Sequence, residues 1–99
     1  MLTLKNGLCF IDGDFIKTNV IIDKDKIIEI SNDEKGEVLD ISGKLLCGSF
    51  IDLHTHGGGG FDYTDATVEA YTTGARVHLK HGTTAMMPTI TTCSHEVLT

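Results

Sequence analysis

The stretch FIDLHTHGGGG, residues Phe50–Gly60, places two histidines one residue apart, after an apolar run and before four glycines. Side chains of a β-strand alternate between its two faces, so Asp52, His54 and His56 point to the same side. The two imidazoles therefore converge on one point. A short apolar run closed by glycines predicts a buried strand that stops abruptly and continues into a flexible loop able to approach a ligand closely.

The composition is that of an ordinary globular protein. Of the 99 residues, 40% are hydrophobic and 22% are charged, which is typical of neither disordered nor membrane proteins. The formal charge of -6, from 14 acidic and 8 basic residues, disfavours a nucleic-acid partner, because binding to phosphates needs clustered cations. No segment approaches the roughly 20 apolar residues that a membrane span requires, so no membrane partner is expected.

The cysteines indicate a reducing compartment. Cys9, Cys47 and Cys93 lie far apart and form no CxxC pair, so neither a disulfide framework nor a zinc ribbon is indicated. The N-terminal run MLTLKNGLCFIDGD has no cationic leader before a sustained apolar core, so it does not predict a secretory signal. The cytoplasm is therefore the expected location.

The first half of the chain reads as short β-rich runs separated by turns. Asp12-Gly13-Asp14 and Asp23-Lys24-Asp25 divide three apolar runs, which predicts two consecutive hairpins, because glycine accepts the positive φ of tight hairpin turns. The polar stretch 31–37 predicts a solvated loop, and short strands follow at VLDIS and LLCGS. This half is predicted to be an antiparallel sheet layer.

In the second half the apolar period changes to that of a helix. The run TVEAYTTGARVHLKHG predicts a helix with Thr67 as its N-cap and Gly82 at its C-terminal stop. Gly74 inside this helix indicates close packing at that point. The predicted apolar stripe consists of Val68, Tyr71, Ala75 and Leu79.

A second strand is predicted at TTAMMPTI, Thr83–Ile90, with Met86 and Met87 in the core and Pro88 near the strand end. Strand, helix and strand in this order make a βαβ unit, which implies a parallel sheet. Two parallel strands and one helix cannot cover both faces of a sheet, and a full α/β barrel needs roughly 250 residues. The chain is therefore expected to be the N-terminal portion of a longer polypeptide.

The histidine pair is the best candidate for chemistry. Neutral imidazole is the commonest metal ligand, and an i, i+2 pair on a strand converges without backbone strain. His54 and His56 are thus predicted metal ligands at the carboxyl end of a parallel strand, where α/β barrels place their active sites. The alternative is a polar strand end that bonds to loop backbone. A catalytic zinc normally has three protein ligands, so further ligands must come from elsewhere.

Other polar residues carry weaker signals. His78 and His81 are expected at the surface or end of the helix, where His81 can meet the helix dipole, and His95 carries no assigned role. Asp52 either orients one histidine or bonds to backbone groups. The glycines 57–60 either let backbone N–H groups approach a substrate or form a flexible turn.

Two motifs carry a resemblance to known proteins. The run GKLLCGSFIDLHTHGGGGFD, from Gly43, resembles the first-strand signature of the amidohydrolase superfamily, in which a small β-sandwich strand leads into the catalytic barrel. The run HGTTAMMPTITTCS, from His81, is similar to the second barrel strand of N-acetylglucosamine-6-phosphate deacetylases, as FDYTDAT is to the segment between. Gly48 and Ser49 replace that family's usual Pro-Gly, which removes a constraint on the strand entrance.

The resemblance implies an α/β fold in two parts. Residues 1–49 would be β-rich strands of a small β-sandwich domain, and residues 50–99 the first βαβ portion of a metal-dependent hydrolase TIM barrel, (β/α)8, incomplete in this chain. The family hydrolyses the N-acetyl amide of N-acetylglucosamine 6-phosphate to acetate and glucosamine 6-phosphate. It uses a divalent metal, with an aspartate of the last barrel strand as general base and acid.

The same resemblance implies site residues and partners. His54 and His56 match the family's HxH, which contributes to a metal site in some members, whereas others bind a single metal through later residues. Zinc or iron is the expected metal, an amino-sugar phosphate the substrate, and a homo-oligomer the intact assembly. The general-base aspartate is expected beyond residue 99, so no catalytic residue is assigned and the chain alone is expected to be inactive.

Two alternatives stay open. A dihydroorotase-like enzyme would keep the fold and open a cyclic amide instead. A noncatalytic fragment or binding module would hold metal weakly through His54 and His56.

Overall fold

Strands dominate the chain in the computed structural model, which describes residues 1–99. The residues fall into two units, Met1–Gly48 and Ser49–Thr99. The strands of the first unit are β1 (Leu2–Ile11), β2 (Asp14–Asp23), β3 (Lys26–Ser31), β4 (Glu37–Asp40) and β5 (Leu45–Leu46). They form one sheet in the order β3-β2-β1-β4, with β5 also paired to β1.

The two predicted hairpins are confirmed. β1 pairs antiparallel with β2, and β2 pairs antiparallel with β3. At the first turn, Asp12 and Gly13 have φ of 50° and 87°, the positive values that a tight two-residue hairpin turn requires. The polar segment after β3 forms the predicted loop.

The prediction of a purely antiparallel layer is wrong. β4 and β5 both pair parallel with β1, on the side away from β2. The loop after β3 crosses the sheet, and the backbone N–H of Glu37 donates to the carbonyl of Met1 at 3.1 Å. The chain therefore enters β4 beside the start of β1 and runs in the same direction.

A buried threonine holds the crossing loop. The Thr3 hydroxyl donates to the carbonyl of Lys35 at 2.7 Å and accepts from the Lys35 backbone N–H at 2.8 Å. Thr3 and its cross-strand neighbour Ile21 are both 0% exposed. One side chain thus satisfies both backbone groups of a loop residue where water has little access.

Thr3→Val is expected to lower the free energy of unfolding by about 1–3 kcal/mol, because a similar shape is kept while the Lys35 backbone groups lose their partner. Chemical denaturation followed by circular dichroism measures the loss. Thr3→Ser is the control, since it keeps both hydrogen bonds. Equal stability of Thr3→Val and the unmodified chain would contradict the role of the hydroxyl.

The second unit contains the predicted βαβ arrangement. Its elements are β6 (Phe50–Thr55), β7 (Gly57–Gly58), β8 (Phe61–Asp62), a 3-10 helix (Tyr63–Asp65), α1 (Val68–Lys80), β9 (Thr83–Pro88) and α2 (His95–Leu98). β6 and β9 pair in parallel, and α1 lies between them in the chain. The structure as a whole is mixed α/β and strand-rich, and none of its helices is long and apolar enough to span a membrane.

The limits of α1 agree with the sequence prediction. Thr67 is the N-cap, and its side chain accepts from the backbone N–H of Ala70 at 3.1 Å. After the helix, Gly82 has a φ of 95°, which a glycine adopts without steric penalty. Close packing at Gly74 is also confirmed, because a Cβ there would lie 2.8 Å from the Tyr63 ring.

The predicted apolar stripe of α1 is not the buried face of the helix. Ala70 and Gly74 are the buried residues of this helix, whereas Val68 is 83% exposed and Leu79 58%. Small residues allow the helix backbone to approach Tyr63 closely. Tyr71, Ala75 and Leu79 of the apolar stripe instead border an open cleft of about 500 Å³ beside β9.

β6 is not the buried strand that its composition predicts. Phe50, Ile51 and Leu53 are 61–69% exposed, and Thr55 is the one buried residue of the strand. The reason is that β6 pairs with a single strand, β9. Met87 of β9 is 60% exposed for a similar lack of neighbours, so its predicted place in the core is wrong.

Candidate metal centre

The structure brings His54 and His56 together at the carboxyl end of β6. Their ring centroids lie 4.9 Å apart, and the ring planes meet at 82°. His54 belongs to the strand and His56 follows its last residue. The alternation of a strand therefore produces the predicted convergence, while the role of the pair as metal ligands stays a prediction.

The two rings have a spacing that suits a shared ion. Metal–nitrogen bonds of about 2.0–2.1 Å to one tetrahedral ion place two imidazole centroids roughly 5 Å apart. Both residues are exposed, and the hydrogen bonds they make involve their backbone groups but neither ring. Uncommitted nitrogens at this separation are the donor chemistry that a divalent metal such as zinc needs.

The chain supplies a pair of ligands rather than a complete set. No cluster of three or more histidine, cysteine, aspartate or glutamate side chains is assembled in the structure. A catalytic zinc normally has three protein ligands. The residues present therefore fit part of a metal centre.

Asp52 interacts with backbone and not with either imidazole. Its Oδ1 accepts from the backbone N–H of His54 at 3.1 Å. The sequence left two roles open for Asp52, orienting a histidine ring or bonding to backbone groups. The structure shows the bond to a backbone group. The carboxylate also lies near Tyr63, where its charge contributes to a raised phenol pKa.

His78 is placed differently from its prediction as a surface residue. Its ring is half-buried, and Nε2 lies 2.9 Å from the carbonyl oxygen of Gly57 and 3.2 Å from the Thr55 hydroxyl. His81 behaves as predicted, with Nδ1 2.8 Å from the carbonyl of Val77 at the end of α1. His95 is exposed at the start of α2.

The glycines after the pair form a hairpin rather than a flexible loop. Gly57–Gly58 pairs antiparallel with Phe61–Asp62, and Gly59 and Gly60 make the turn with φ of 64° and 87°. Positive φ at both turn positions is what a tight two-residue hairpin requires. The segment beyond His56 is thus hydrogen-bonded secondary structure.

Tyr63 anchors this hairpin to α1. It is 1% exposed and stacks on Tyr71, with ring centroids 5.1 Å apart. Burial raises the pKa of its phenol above the ordinary value, and the charge of Asp52 adds to this effect. The phenol therefore stays neutral, and it donates to the sulfur of Met86 at 3.1 Å.

Asp62 caps the 3-10 helix close to the pair. Its carboxylate accepts from the backbone N–H of Thr64 at 2.7 Å, and the Asp62 N–H donates to Asp65. The Thr64 hydrogen bond lowers the pKa of Asp62, with a smaller contribution from the charge of His56. Asp62 therefore keeps its negative charge near His56.

Sequence reasoning missed Tyr63 and His78 as structural partners of the site. The signal for Tyr63 was Gly74, since a glycine in a helix interior marks the approach of a large side chain. For His78 the sequence held no comparable signal, because its two partners lie 21 and 23 residues earlier.

Comparison with known proteins finds relatives among several hydrolases. No family model matches the chain. A dihydroorotase of Lactobacillus leichmannii is 45% identical over 58 residues, which is 56% of this chain and 14% of that protein. An allantoinase of Enterococcus faecalis is 36% identical over 91 residues, 87% of this chain and 19% of that protein. The N-acetylglucosamine-6-phosphate deacetylase of Mus musculus is 30% identical over 97 residues, 95% of this chain and 24% of that protein.

These relatives are all members of the amidohydrolase superfamily. The mixed α/β structure of the chain is consistent with part of such an enzyme. The deacetylase is one of several similar proteins and is not singled out among them. The chain spans between 14% and 24% of the length of these three relatives.

Proposed function

We propose that the protein carrying this chain is a metal-dependent hydrolase of amide bonds, with His54 and His56 as two of its metal ligands. The observation that carries the proposal is the meeting of two uncommitted imidazoles, 4.9 Å apart, at the carboxyl end of a parallel strand. Superfamily relatives of this kind generally depend on a divalent metal. The proposal extends to the full-length protein because the chain spans only part of these relatives.

The residues of this chain would bind the metal and orient it. His54 and His56 would each supply one neutral nitrogen, and Asp62 would add negative charge near His56. A bound divalent metal supplies Lewis acidity, which polarises an amide carbonyl and lowers the pKa of a water molecule. The general base is proposed to be an aspartate outside residues 1–99.

In its finer form the proposal is an N-acetylglucosamine-6-phosphate deacetylase. This finer proposal is supported by the extent of the alignment, because the mouse enzyme of that name aligns with 95% of the chain. In this form the metal would be zinc or iron and the substrate an amino-sugar phosphate. The enzyme would be a cytoplasmic homo-oligomer with no membrane or nucleic-acid partner. Residues 1–49 would belong to a β-sandwich domain and residues 50–99 to the start of a (β/α)8 barrel.

The second candidate is a dihydroorotase-like hydrolase of a cyclic amide. It is favoured by local identity, since the Lactobacillus leichmannii dihydroorotase is 45% identical over 58 residues. The two activities are separated by incubating the full-length protein with each substrate. Acetate release from N-acetylglucosamine 6-phosphate supports the deacetylase, whereas ring opening of dihydroorotate without acetate release supports the second candidate.

Titration of the chain with Zn²⁺, followed by NMR of the imidazole signals, tests the metal ligands directly. His54→Ala and His56→Ala are each expected to weaken Zn²⁺ binding by at least about tenfold, because each removes one of two ligands. His95→Ala is the matched control, an exposed histidine elsewhere in the same unit. Undiminished Zn²⁺ affinity in both ligand variants would refute the assignment.

A further inference from the structure

The backbone around His56 is held by donors from three parts of the chain outside β6. Three consecutive carbonyls, those of Thr55, His56 and Gly57, each accept one tertiary hydrogen bond. The donors are the backbone N–H of Thr89 at 2.7 Å, the backbone N–H of Tyr63 at 2.8 Å, and Nε2 of His78 at 2.9 Å. The direction of the His56 side chain is thus set from outside β6.

His78 is the one side chain among these three donors. A carbonyl oxygen only accepts, so the ring nitrogen facing Gly57 carries a proton and donates it. The same nitrogen lies 3.2 Å from the hydroxyl of Thr55, which is 8% exposed. The ring therefore touches the residue before His56 and the residue after it, where water has little access.

The hydrogen bond from His78 to the Gly57 carbonyl matters because Gly57 is conformationally freer than other residues. Gly57 has no side chain of its own to fix it, and its φ of 152° lies in a region that other residues rarely adopt. Without His78 its carbonyl keeps only the long hydrogen bond from the Thr55 hydroxyl at 3.5 Å, so the peptide between His56 and Gly58 gains rotational freedom. The His56 ring would then lose its fixed separation from His54.

We propose that His78 is a positioning residue for the His54–His56 pair, acting through the carbonyl of Gly57 and the hydroxyl of Thr55. The geometric part concerns the chain without metal, and the consequence for metal affinity rests on the function proposed above. Side chains that orient metal ligands typically change metal affinity by about 10–100-fold when replaced. His78 is expected to do so without touching the ion.

The test compares His78→Gln with His78→Met in the chain. The two replacements have similar length and helix propensity, but only glutamine donates a hydrogen bond. His81→Met is the control at the C-cap of the same helix, because His81 is exposed and its ring interacts with the Val77 carbonyl of α1 itself. Backbone relaxation of residues 55–57 and the ring-to-ring nuclear Overhauser contact of the histidine pair are measured without metal.

His78→Met is expected to mobilise residues 55–57, to lose the contact between the two rings, and to weaken Zn²⁺ binding by about tenfold. His78→Gln and His81→Met are expected to keep all three properties close to those of the unmodified chain. Equal behaviour of the Gln and Met variants would overturn the proposal, because the donor would then be irrelevant. So would loss of folding in His78→Met alone, which would make the bond a general structural one.

The metal-free measurements separate this proposal from the proposed function. If the unmodified chain does not bind Zn²⁺ through the pair, the metal assignment fails. The ring contact and the backbone relaxation still decide whether His78 positions His56.

Discussion

Tyr63→Ala is expected to lower the free energy of unfolding of the second unit by about 4 kcal/mol, the typical loss when a buried aromatic ring is removed. Tyr63 is 1% exposed and is among the largest fully buried side chains of the protein. Its ring stacks on Tyr71 with the planes 20° apart, and its edge fills the space over Gly74. Its hydroxyl also donates to the sulfur of Met86, so Tyr63 contacts both α1 and β9.

Tyr63→Phe separates the ring from the hydroxyl. This variant keeps the packing and loses only the bond to the Met86 sulfur, so the expected loss is about 1 kcal/mol or less. Denaturant unfolding followed by NMR signals of residues 49–99 measures both variants. Comparable losses for Ala and Phe would show that the buried ring does not dominate the stability of this unit.

Gly57→Ala is expected to disrupt the β7–β8 hairpin, with a loss of at least about 3 kcal/mol. A Cβ at this position would lie 2.0 Å from the carbonyl oxygen of Phe61 and 2.9 Å from the Cα of Asp62. Both neighbours are backbone atoms of the paired strand, so no side-chain rotation can relieve the overlap. Because Gly57 follows His56, the separation of the two histidine rings is expected to change as well.

Gly60→Ala is the matched control in the same hairpin. Gly60 also has a positive φ, 87°, but a Cβ there would meet nothing within 4 Å. The expected loss is therefore the conformational strain alone, about 1–2 kcal/mol. Denaturant unfolding gives the two losses, and the nuclear Overhauser contact between His54 and His56 reports the site. A Gly57→Ala chain as stable as Gly60→Ala would contradict the close pairing of β7 and β8.

Most of the local structure follows from the sequence. Asp12-Gly13 in the first hairpin, Thr67 as N-cap and Gly82 at the helix end have effects that act over a few residues, and each was predicted. The convergence of His54 and His56 has the same origin, because the period of a strand places alternate residues on one side. These features depend on backbone geometry that neighbouring residues determine.

Features that depend on distant residues were not predicted. The parallel pairing of β4 with β1 depends on a loop held by Thr3, 32 residues before Lys35. The buried face of α1 is the one with Ala70 and Gly74, because those residues let the helix approach Tyr63, whereas apolar content alone favoured the opposite choice.

The histidine pair depends both on neighbouring residues and on distant ones. The direction of the two side chains follows from the sequence alone, since residues two apart along an extended chain lie on the same face. Their support comes from long-range contacts, because tertiary donors to the carbonyls of residues 55–57 are Tyr63, His78 and Thr89. Local periodicity sets the direction of a side chain, while long-range hydrogen bonds and packing fix its surroundings.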